Sequence, residues 1–291
     1  MQAAGGPWLT PLLSHRRRAI QINPPFGYRE IVPLQKTQGV ALPAPGKLPE
    51  FCAQTNAMPV SYIEFAPAAR DFPIVFASND QGKSYAAVAV LGLAQTENLF
   101  VRNGTWEQGV YVPAYVRRYP FCMARVTMGT AAQENRLICV EKSHLSDGGE
   151  KMFDPEGKPT QRWTQIEQLL REYEADLERT RELCAILADY DLFEPFTMQA
   201  TPATGAAPIN LAGMFRVQEA KLEHLNAAQH KNLFKKGIVG RIYAHLLSLE
   251  NFGHLLARRA KIAPAAVPPA KPAEPAAKPA PAPAAKTAKR A

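Results

Sequence analysis

The chain has 291 residues, 46% of them hydrophobic, with 34 Lys and Arg against 26 Asp and Glu, a formal net charge of +8. The excess lies at the ends: residues 1–57 hold six basic and two acidic residues, and residues 261–291 hold six basic and one acidic residue. Residues 58–260 hold 22 basic and 23 acidic residues, a balance that argues against a globular domain with a basic face for nucleic acid.

Two further patterns argue against whole classes of protein. No stretch has the roughly 18–20 uninterrupted apolar residues of a membrane helix, and prolines and charges follow the arginines at 16–18, so we expect neither a membrane span nor a Sec-type signal. The four scattered cysteines form no CxxC pair, which argues against a zinc ribbon or a redox dithiol. We expect them to be reduced and buried, as in a cytoplasmic protein, with two disulfides as the alternative in an exported one.

The two ends of the chain differ in composition from its middle. Residues 1–57 are rich in Pro and Gly without a period, so we predict a disordered arm or a misassigned extension before a true start at Met58. Residues 260–291 consist mainly of Pro, Ala and Lys, a composition that favours disorder. The charges of this tail predict weak, non-specific contact with polyanions, and a solubilising role is the alternative. Residues 58–259 remain as one predicted domain.

The part of the chain after Met58 has β-rich patterns. Residues 85–93 (YAAVAVLGL) are continuously apolar, as in a strand buried on both faces. The pair Asn103–Gly104 is typical of a type I′ hairpin turn. Extended segments are predicted at residues 60–65, 71–76, 85–93, 98–101, 106–111, 122–128 and 136–141.

A helical period replaces the β pattern at about residue 161. Apolar residues recur at helical spacing over 161–188 with charges on the other face, which predicts one long amphipathic helix. Strands at 192–198 and 211–217 are expected to return to the sheet, and helices are predicted at 219–226, 227–235 and 238–256. Together these elements predict an α+β fold: an antiparallel β-rich N-terminal half at about 58–145, a long helix across it and a helical C-terminal block.

The segment 106–121 (WEQGVYVPAYVRRYPF) combines aromatic residues, two prolines and two adjacent arginines. Prolines this close together rule out an ordinary helix interior, so we predict a strand that enters a turn and stops at Pro113 and Pro120. The side chains that stand out in this segment are called the aromatic–arginine corner below: Trp106, Tyr111, Tyr115, Arg117, Arg118 and Tyr119.

The arginines of the corner are the first candidates for binding. A guanidinium is a planar fork of donors that suits carboxylate or phosphate, so Arg117 and Arg118 are a candidate anion clamp. In the alternative interpretation, one arginine stacks on a neighbouring tyrosine and the other pairs with a carboxylate of the core.

Four other positions are candidates for chemistry. His245 is three residues before Ser248 on a predicted helix, but no third catalytic member is identifiable, so a packing histidine is the favoured alternative. Glu64 and Asp71 are a candidate acid–base pair or, as the alternative, solvated or salt-bridged carboxylates, and Cys122 is a nucleophile or a buried thiol. The sequence contains no phosphate-binding loop and no metal-binding motif, so we expect neither cofactor nor metal.

Four stretches carry a resemblance to a known family: residues 58–76, 89–101, 106–121 and 212–255. They include the motifs YxPAYxRRYPF, from residue 111, and IYAHLxSL, from residue 242. Over Met58 to Arg259 the chain resembles the SapC family of bacterial proteins, which is distinct from a peptide-transporter permease of the same name. The resemblance implies an association with the bacterial surface layer by family name and supplies no catalytic residues.

Two classes of function follow from these observations. The first is a non-enzymatic binding or accessory protein, tied to the surface layer by family name only, that meets an unknown partner through the aromatic–arginine corner. The second is an enzyme or small-ligand binder for an anionic substrate, with Arg117 and Arg118 as the clamp and His245 as the base. The absence of a complete catalytic set favours the first.

Overall fold

The computed structural model describes residues 23–78, 80–127, 134–200 and 208–262. The expectations for residues 1–22 and for the tail from residue 263 onward therefore lie outside the described residues. The strands are β1 (Ile31–Pro33), β2 (Gly39–Val40), β3 (Ala57–Pro59), β4 (Ile74–Ala77), β5 (Ala86–Val90), β6 (Val101–Arg102), β7 (Thr105–Trp106), β8 (Phe121–Thr127), β9 (Glu134–Glu141), β10 (Glu150–Lys151), β11 (Phe193–Ala200) and β12 (Ile209–Val217).

The α-helices are α1 (Phe65–Ala68), α2 (Ala114–Arg117), α3 (Gln161–Asp189), α4 (Ala227–Lys235), α5 (Ile238–Ser248) and α6 (Asn251–Ile262). Four short 3-10 helices lie at Glu50–Gln54, Tyr62–Glu64, Lys142–His144 and Glu219–His224. Antiparallel sheets with a long helix and a helical C-terminal block confirm the predicted α+β class.

The largest sheet joins strands from the two halves of the chain. Its order is β11-β12-β4-β5-β3, and all four of its pairings are antiparallel. In its centre Phe215 of β12 pairs with Phe76 of β4, and Ile74 of β4 pairs with Ala89 of β5. The prediction that the two late strands return to the sheet is therefore confirmed.

The second sheet has the order β1-β9-β8, and the predicted antiparallel pair β8–β9 is confirmed in it. The hairpin β6–β7 is confirmed as well. Its two turn residues, Asn103 and Gly104, have φ of 52° and 72°, and positive φ at both central positions is the type I′ geometry.

The interpretation of residues 1–57 as an arm outside the fold is wrong for residues 23–57. Strand β1 pairs with β9, with Val32 opposite Val140, and four hydrophobic side chains of this region are buried: Tyr28, Ile31, Val40 and Cys52. Strands of two or three residues are too short to show a period, so this part of the sequence resembles a linker although it packs into the core.

Helix α3 connects the two sheets. It begins after Thr160, whose hydroxyl accepts a hydrogen bond from the Trp163 amide at 3.2 Å, and its contacts reach both β5 and β8. Its buried stripe includes Trp163, Leu170, Tyr173 and Leu187, as an amphipathic helix across a sheet requires. The prediction of one long helix is confirmed.

Two local predictions are wrong for identifiable reasons. Residues 60–65 contain a 3-10 turn because Ser61 and Glu64 form a capping box, in which each side chain bonds the other residue's backbone N–H. The helix predicted over 238–256 is two helices, α5 and α6. The side-chain Nδ2 of Asn251, the first residue of α6, donates to the carbonyl of Ala69 at 2.8 Å and ties the start of the second helix to α1.

The packing of residues 23–57 leads to a prediction about the length of the folding unit. A chain beginning at Met58 lacks β1 and several buried side chains, each of which contributes about 2–5 kcal/mol, against a total stability of about 5–15 kcal/mol for a typical domain. We expect this shortened chain to show no cooperative urea unfolding by circular dichroism, whereas the full chain does. An unchanged transition midpoint in the shortened chain would contradict the packing described here.

Candidate functional site

A buried carboxylate, Glu64, positions the aromatic–arginine corner. Glu64 is 1% exposed. One of its oxygens, Oε2, accepts hydrogen bonds from the Ser61 amide (2.9 Å) and the Ser61 hydroxyl (2.7 Å). The other, Oε1, accepts from the Tyr111 hydroxyl (3.0 Å) and the Ala114 amide (2.6 Å). Because Ala114 is the first residue of α2, Glu64 ties this helix to the turn before α1.

A second carboxylate, Asp71, holds the same segment at its start by accepting a hydrogen bond from the Tyr111 amide at 2.8 Å. Glu64 and Asp71 thus both bind the segment that leads into α2. The alternative interpretation is wrong for Glu64, which is buried and has no salt bridge with any described residue. Their hydrogen bonds give them a positioning role.

The expected strand through Tyr111 and the expected stop at Pro113 are both wrong. Gly109, with φ of 82°, turns the chain after β7. Pro113 then precedes the one-turn helix α2, and its carbonyl accepts hydrogen bonds from the amides of Val116 and Arg117. Proline is tolerated at the start of a helix, because the N–H it lacks has no partner there.

Arg118 lies inside the protein, at 5% exposure. Its guanidinium carbon is 4.2 Å from the ring centre of Tyr115, 4.9 Å from that of Tyr173 and 5.7 Å from that of Tyr28. Its Nη1 is 3.8 Å from the carboxylate of Glu174. Stacking on tyrosines and a loose ion pair are both features of the alternative interpretation given to the arginine pair above.

The tyrosines around Arg118 are neutral hydrogen-bond donors. Burial raises the pKa of Tyr28, Tyr115 and Tyr173 above the ordinary value for a phenol, and the charge of Arg118 opposes this only in part. The Tyr28 hydroxyl donates to the Phe121 carbonyl at 2.7 Å, and the Tyr115 hydroxyl donates to the Phe26 carbonyl at 2.6 Å. The stack therefore fastens residues 23–57 to the corner.

Arg117, the neighbouring residue, is exposed. Its Nε donates to the Val112 carbonyl at 3.1 Å, its Nη2 donates to the Tyr111 hydroxyl at 3.3 Å, and it lies over the Tyr111 ring at 5.9 Å. Burial, and then the charge of Glu64, raise the pKa of Tyr111 to about 12. Arg117 has no ion-pair partner in the part of the chain that the structure describes.

A groove of about 470 Å³, called the corner groove below, opens beside these residues. Its wall is formed by residues 42–49, by residues of the segment 106–121 and by one side of helix α3. Its charged lining residues are Lys47, Glu107, Arg117, Arg118 and Arg162, and most of the other lining residues are apolar or aromatic, including Trp106, Tyr119, Val112 and Leu169.

Two residues that line the corner groove each have a buried N–H group without an acceptor among the described residues. Trp106 is 8% exposed and Arg118 is 5% exposed. The Nε1 of Trp106 and the Nε of Arg118 make no hydrogen bond with any described residue. A buried donor without an acceptor destabilises a protein by about 1–3 kcal/mol, and such groups are few in native structures. Both groups belong to residues of the wall of one groove.

The groove has an excess of positive charge. Lys47, Arg117 and Arg162 are exposed and have no carboxylate within ion-pair distance among the described residues. The single acidic lining residue, Glu107, is bound by Arg258, whose Nη2 lies 3.1 Å from Oε1. This hydrogen bond lowers the pKa of Glu107, and the negative charge of Glu107 is balanced by the positive charge of Arg258.

The remaining corner tyrosine, Tyr119, is half-buried in an aromatic cluster. Its ring centre is 5.2 Å from that of Tyr28, 6.0 Å from that of Phe51 and 5.0 Å from that of His144. Four of the six corner residues therefore line the groove. Tyr111 and Tyr115 are joined to it through Arg117 and Arg118, respectively.

The candidate base His245 lies elsewhere, on α5 against the large sheet. It is fully buried, its Nε2 accepts from the Val217 amide at 3.1 Å, and its Nδ1 is 2.7 Å from the Ile74 carbonyl. Ser248 also binds strand β4, because its Oγ accepts a hydrogen bond from the Ile74 amide at 2.9 Å. Both ring nitrogens are occupied by backbone groups, which is the arrangement of a packing histidine.

The four cysteines are free and buried, as expected. Burial raises the pKa of Cys122 to about 12, although the charge of Arg118 opposes the shift, so this thiol is not activated.

Within the described ranges, no group of three His, Cys, Asp or Glu residues could hold a metal ion. Those ranges also contain no helix with the length and apolar character needed to cross a bilayer.

Several residues of the site were missed or misread from sequence. The capping-box pattern of Ser61 and Glu64 is visible in the sequence and could have revealed the role of Glu64. Lys47 and Arg162 gave no signal, because they reach the corner groove from a linker-like segment and from the charged face of α3. Leu169 was counted in the apolar stripe of this helix and was not linked to the groove.

The comparisons with known proteins agree with the motifs in the sequence. The family model described as SapC matches residues 44–255. The inference that every residue before Met58 departs from the family pattern is therefore wrong for residues 44–57. No curated protein and no solved structure matches the chain.

The Glu64 network leads to a prediction about stability. In Glu64→Gln an N–H₂ group replaces one oxygen and faces two of the four donors, so we expect the free energy of unfolding to fall by about 2–4 kcal/mol in urea titrations. The control is Glu50→Gln, which removes an ion pair with Arg29 in which both side chains are more than 80% exposed, and it should change little. Equal effects of the two variants would contradict the positioning role of Glu64.

His245 leads to a prediction about pH. Burial lowers its pKa from 6.5 to about 4, with a smaller contribution from the charge of Arg216. The folded state thus favours the neutral ring, and its contribution to stability is complete above pH 6.5 and falls as the pH drops towards 4. Between pH 7 and pH 5 we expect a loss of about 2 kcal/mol. Urea titrations of His245→Gln should show a smaller loss, and an equal loss would contradict the assignment.

Proposed function

The chain belongs to the SapC family, and we propose that it is a non-catalytic binding protein that accepts an anionic ligand in the corner groove. The proposal keeps the aromatic–arginine corner as the binding surface. It changes the cations that meet the ligand, because Arg118 is stacked among tyrosines whereas Arg162 and Lys47 are exposed at the groove together with Arg117.

The observation that carries the proposal is the buried indole N–H of Trp106, which has no acceptor among the described residues, beside a groove lined by the exposed cations Lys47, Arg117 and Arg162. An oxygen atom of a ligand would satisfy such a donor and remove the energetic cost of leaving it unpaired. The three unpaired cations nearby favour a ligand in which this oxygen is part of an anionic group.

A binding role is favoured over catalysis by the titratable groups of the groove. A general base works best when its pKa lies near the working pH. Among the described lining residues, the pKa of Glu107 is lowered by its hydrogen bond from Arg258. The pKa of Tyr119 is raised, first by burial and then by the charge of Glu141. His245, the base in the enzymatic alternative, does not line the groove.

The identity of the partner and its location in the cell are a separate part of the proposal. We propose a cytoplasmic protein, with the surface-layer association taken from the family name as the alternative. A protein partner and a polyanion held by the tail also stay predictions, and the proposed ligand site depends on none of them.

The proposal predicts a saturable anion site that Trp106 reports. We expect the indole N–H resonance of Trp106, assigned with Trp106→Phe, to shift in two-dimensional NMR on titration with at least one of phosphate, citrate, acetate and octanoate. A hydrogen bond to the donor causes the shift. In the double variant Arg117→Gln and Arg162→Gln, the affinity should fall about tenfold or more, because charge-assisted hydrogen bonds are lost.

The control is Arg171→Gln, which removes a cation from the same helix outside the groove, where Arg171 is paired with Glu167. This control should bind the anions as the natural protein does. Failure of all four anions to shift the resonance, or equal binding by the double variant, would overturn the proposed function.

A further inference from the structure

We infer that the ligand of the corner groove is a small amphipathic carboxylate, with one anionic head and an apolar body. This inference rests on the proposed function and narrows its ligand class. It is argued from the arrangement of apolar and charged residues around the groove, from the groove's size and from one leucine of α3.

Part of the corner groove is lined by aliphatic side chains. Val110, Val112 and Leu48 line it from the loops, and Ile166 and Leu169 line it from α3. Leu169 is half-buried and belongs to neither of the two hydrophobic clusters formed by the described residues. An apolar ligand body would cover this leucine and remove its surface from water.

The head of the ligand is placed by the cations and the free donor. Arg117 and Arg162 supply guanidinium groups, Lys47 supplies an ammonium group, and Trp106 supplies one unpaired N–H. A carboxylate has two oxygens, so it can accept from the indole and face a guanidinium at the same time. The apolar residues line the same groove. A carboxylate head occupies little of the groove, so the apolar body of the ligand can contact these residues.

The dimensions of the groove favour a small molecule over a protein surface. Its volume of about 470 Å³ lies within the range of roughly 300–1,000 Å³ that is usual for small-molecule sites. A stable protein interface covers about 800 Å² on each partner, much of it outside any groove. A carboxylate at the end of a protein chain remains as an outcome of the test below.

The test compares three probes that separate the head from the body: octanoate, acetate and 1-octanol, titrated against the full chain with Trp106 as the NMR reporter. Each methylene removed from water adds about a factor of four in affinity, so half-burial of the octanoate chain predicts binding about 50-fold tighter than that of acetate. 1-Octanol lacks the charge and should bind at least about tenfold more weakly than octanoate.

A variant of the apolar wall provides the second readout. Leu169→Gln should weaken octanoate binding about five- to tenfold and leave acetate unchanged, because acetate has no chain to lie on the leucine. The control is Leu247→Gln, the same replacement at a leucine that is 69% exposed on α5. This control should bind octanoate as the natural protein does.

The outcomes separate the inference from the proposed function. Acetate or phosphate binding as tightly as octanoate would overturn the amphipathic class and leave the anion site standing. A synthetic peptide with an apolar C-terminal residue and a free carboxylate, binding at least tenfold tighter than octanoate, would overturn the small molecule as ligand. An octanoate shift that survives in the double variant of Arg117 and Arg162 would overturn both, as would the absence of any binding.

Discussion

The hydrogen bonds to the buried carboxylate of Glu64 are the interaction on which the rest of the corner depends. A carboxylate away from water is costly unless its oxygens are satisfied, and here each oxygen accepts two hydrogen bonds. The donors come from two segments, one around Ser61 and one from Tyr111 to Ala114. Because the Glu64 carboxylate requires hydrogen-bond donors, it holds the first residue of α2 in place and so determines where this helix begins.

The start of α2 in turn explains why two adjacent arginines have opposite environments. Successive residues of a helix point about 100° apart, so one turn can direct Arg118 into the core and leave Arg117 at the surface. Arg118 then joins residues 23–57 and α3 through its tyrosine stack. Arg117 is held by Val112 and Tyr111 at the groove, within a chain of hydrogen bonds that leads back to Glu64.

The sequence predicted those features that have a long period or a strict turn chemistry. Helix α3 has a sustained stripe, and Asn103–Gly104 demands a tight hairpin. The aromatic–arginine corner was also found in advance by its composition. Strands β1 and β2 were missed because they are very short, and the cations from other elements were missed because only tertiary structure brings them to the groove.

The large sheet has a consequence for how the chain matures on the ribosome. Strand β4 lies in the middle of the sheet, yet the neighbour on one of its sides is β12, more than 130 residues later in the sequence. Until β12 has been synthesised, the apolar strand Ile74–Ala77 has one open edge that can pair with other chains. The N-terminal half therefore exposes an unpaired strand edge until the C-terminal half of the chain emerges.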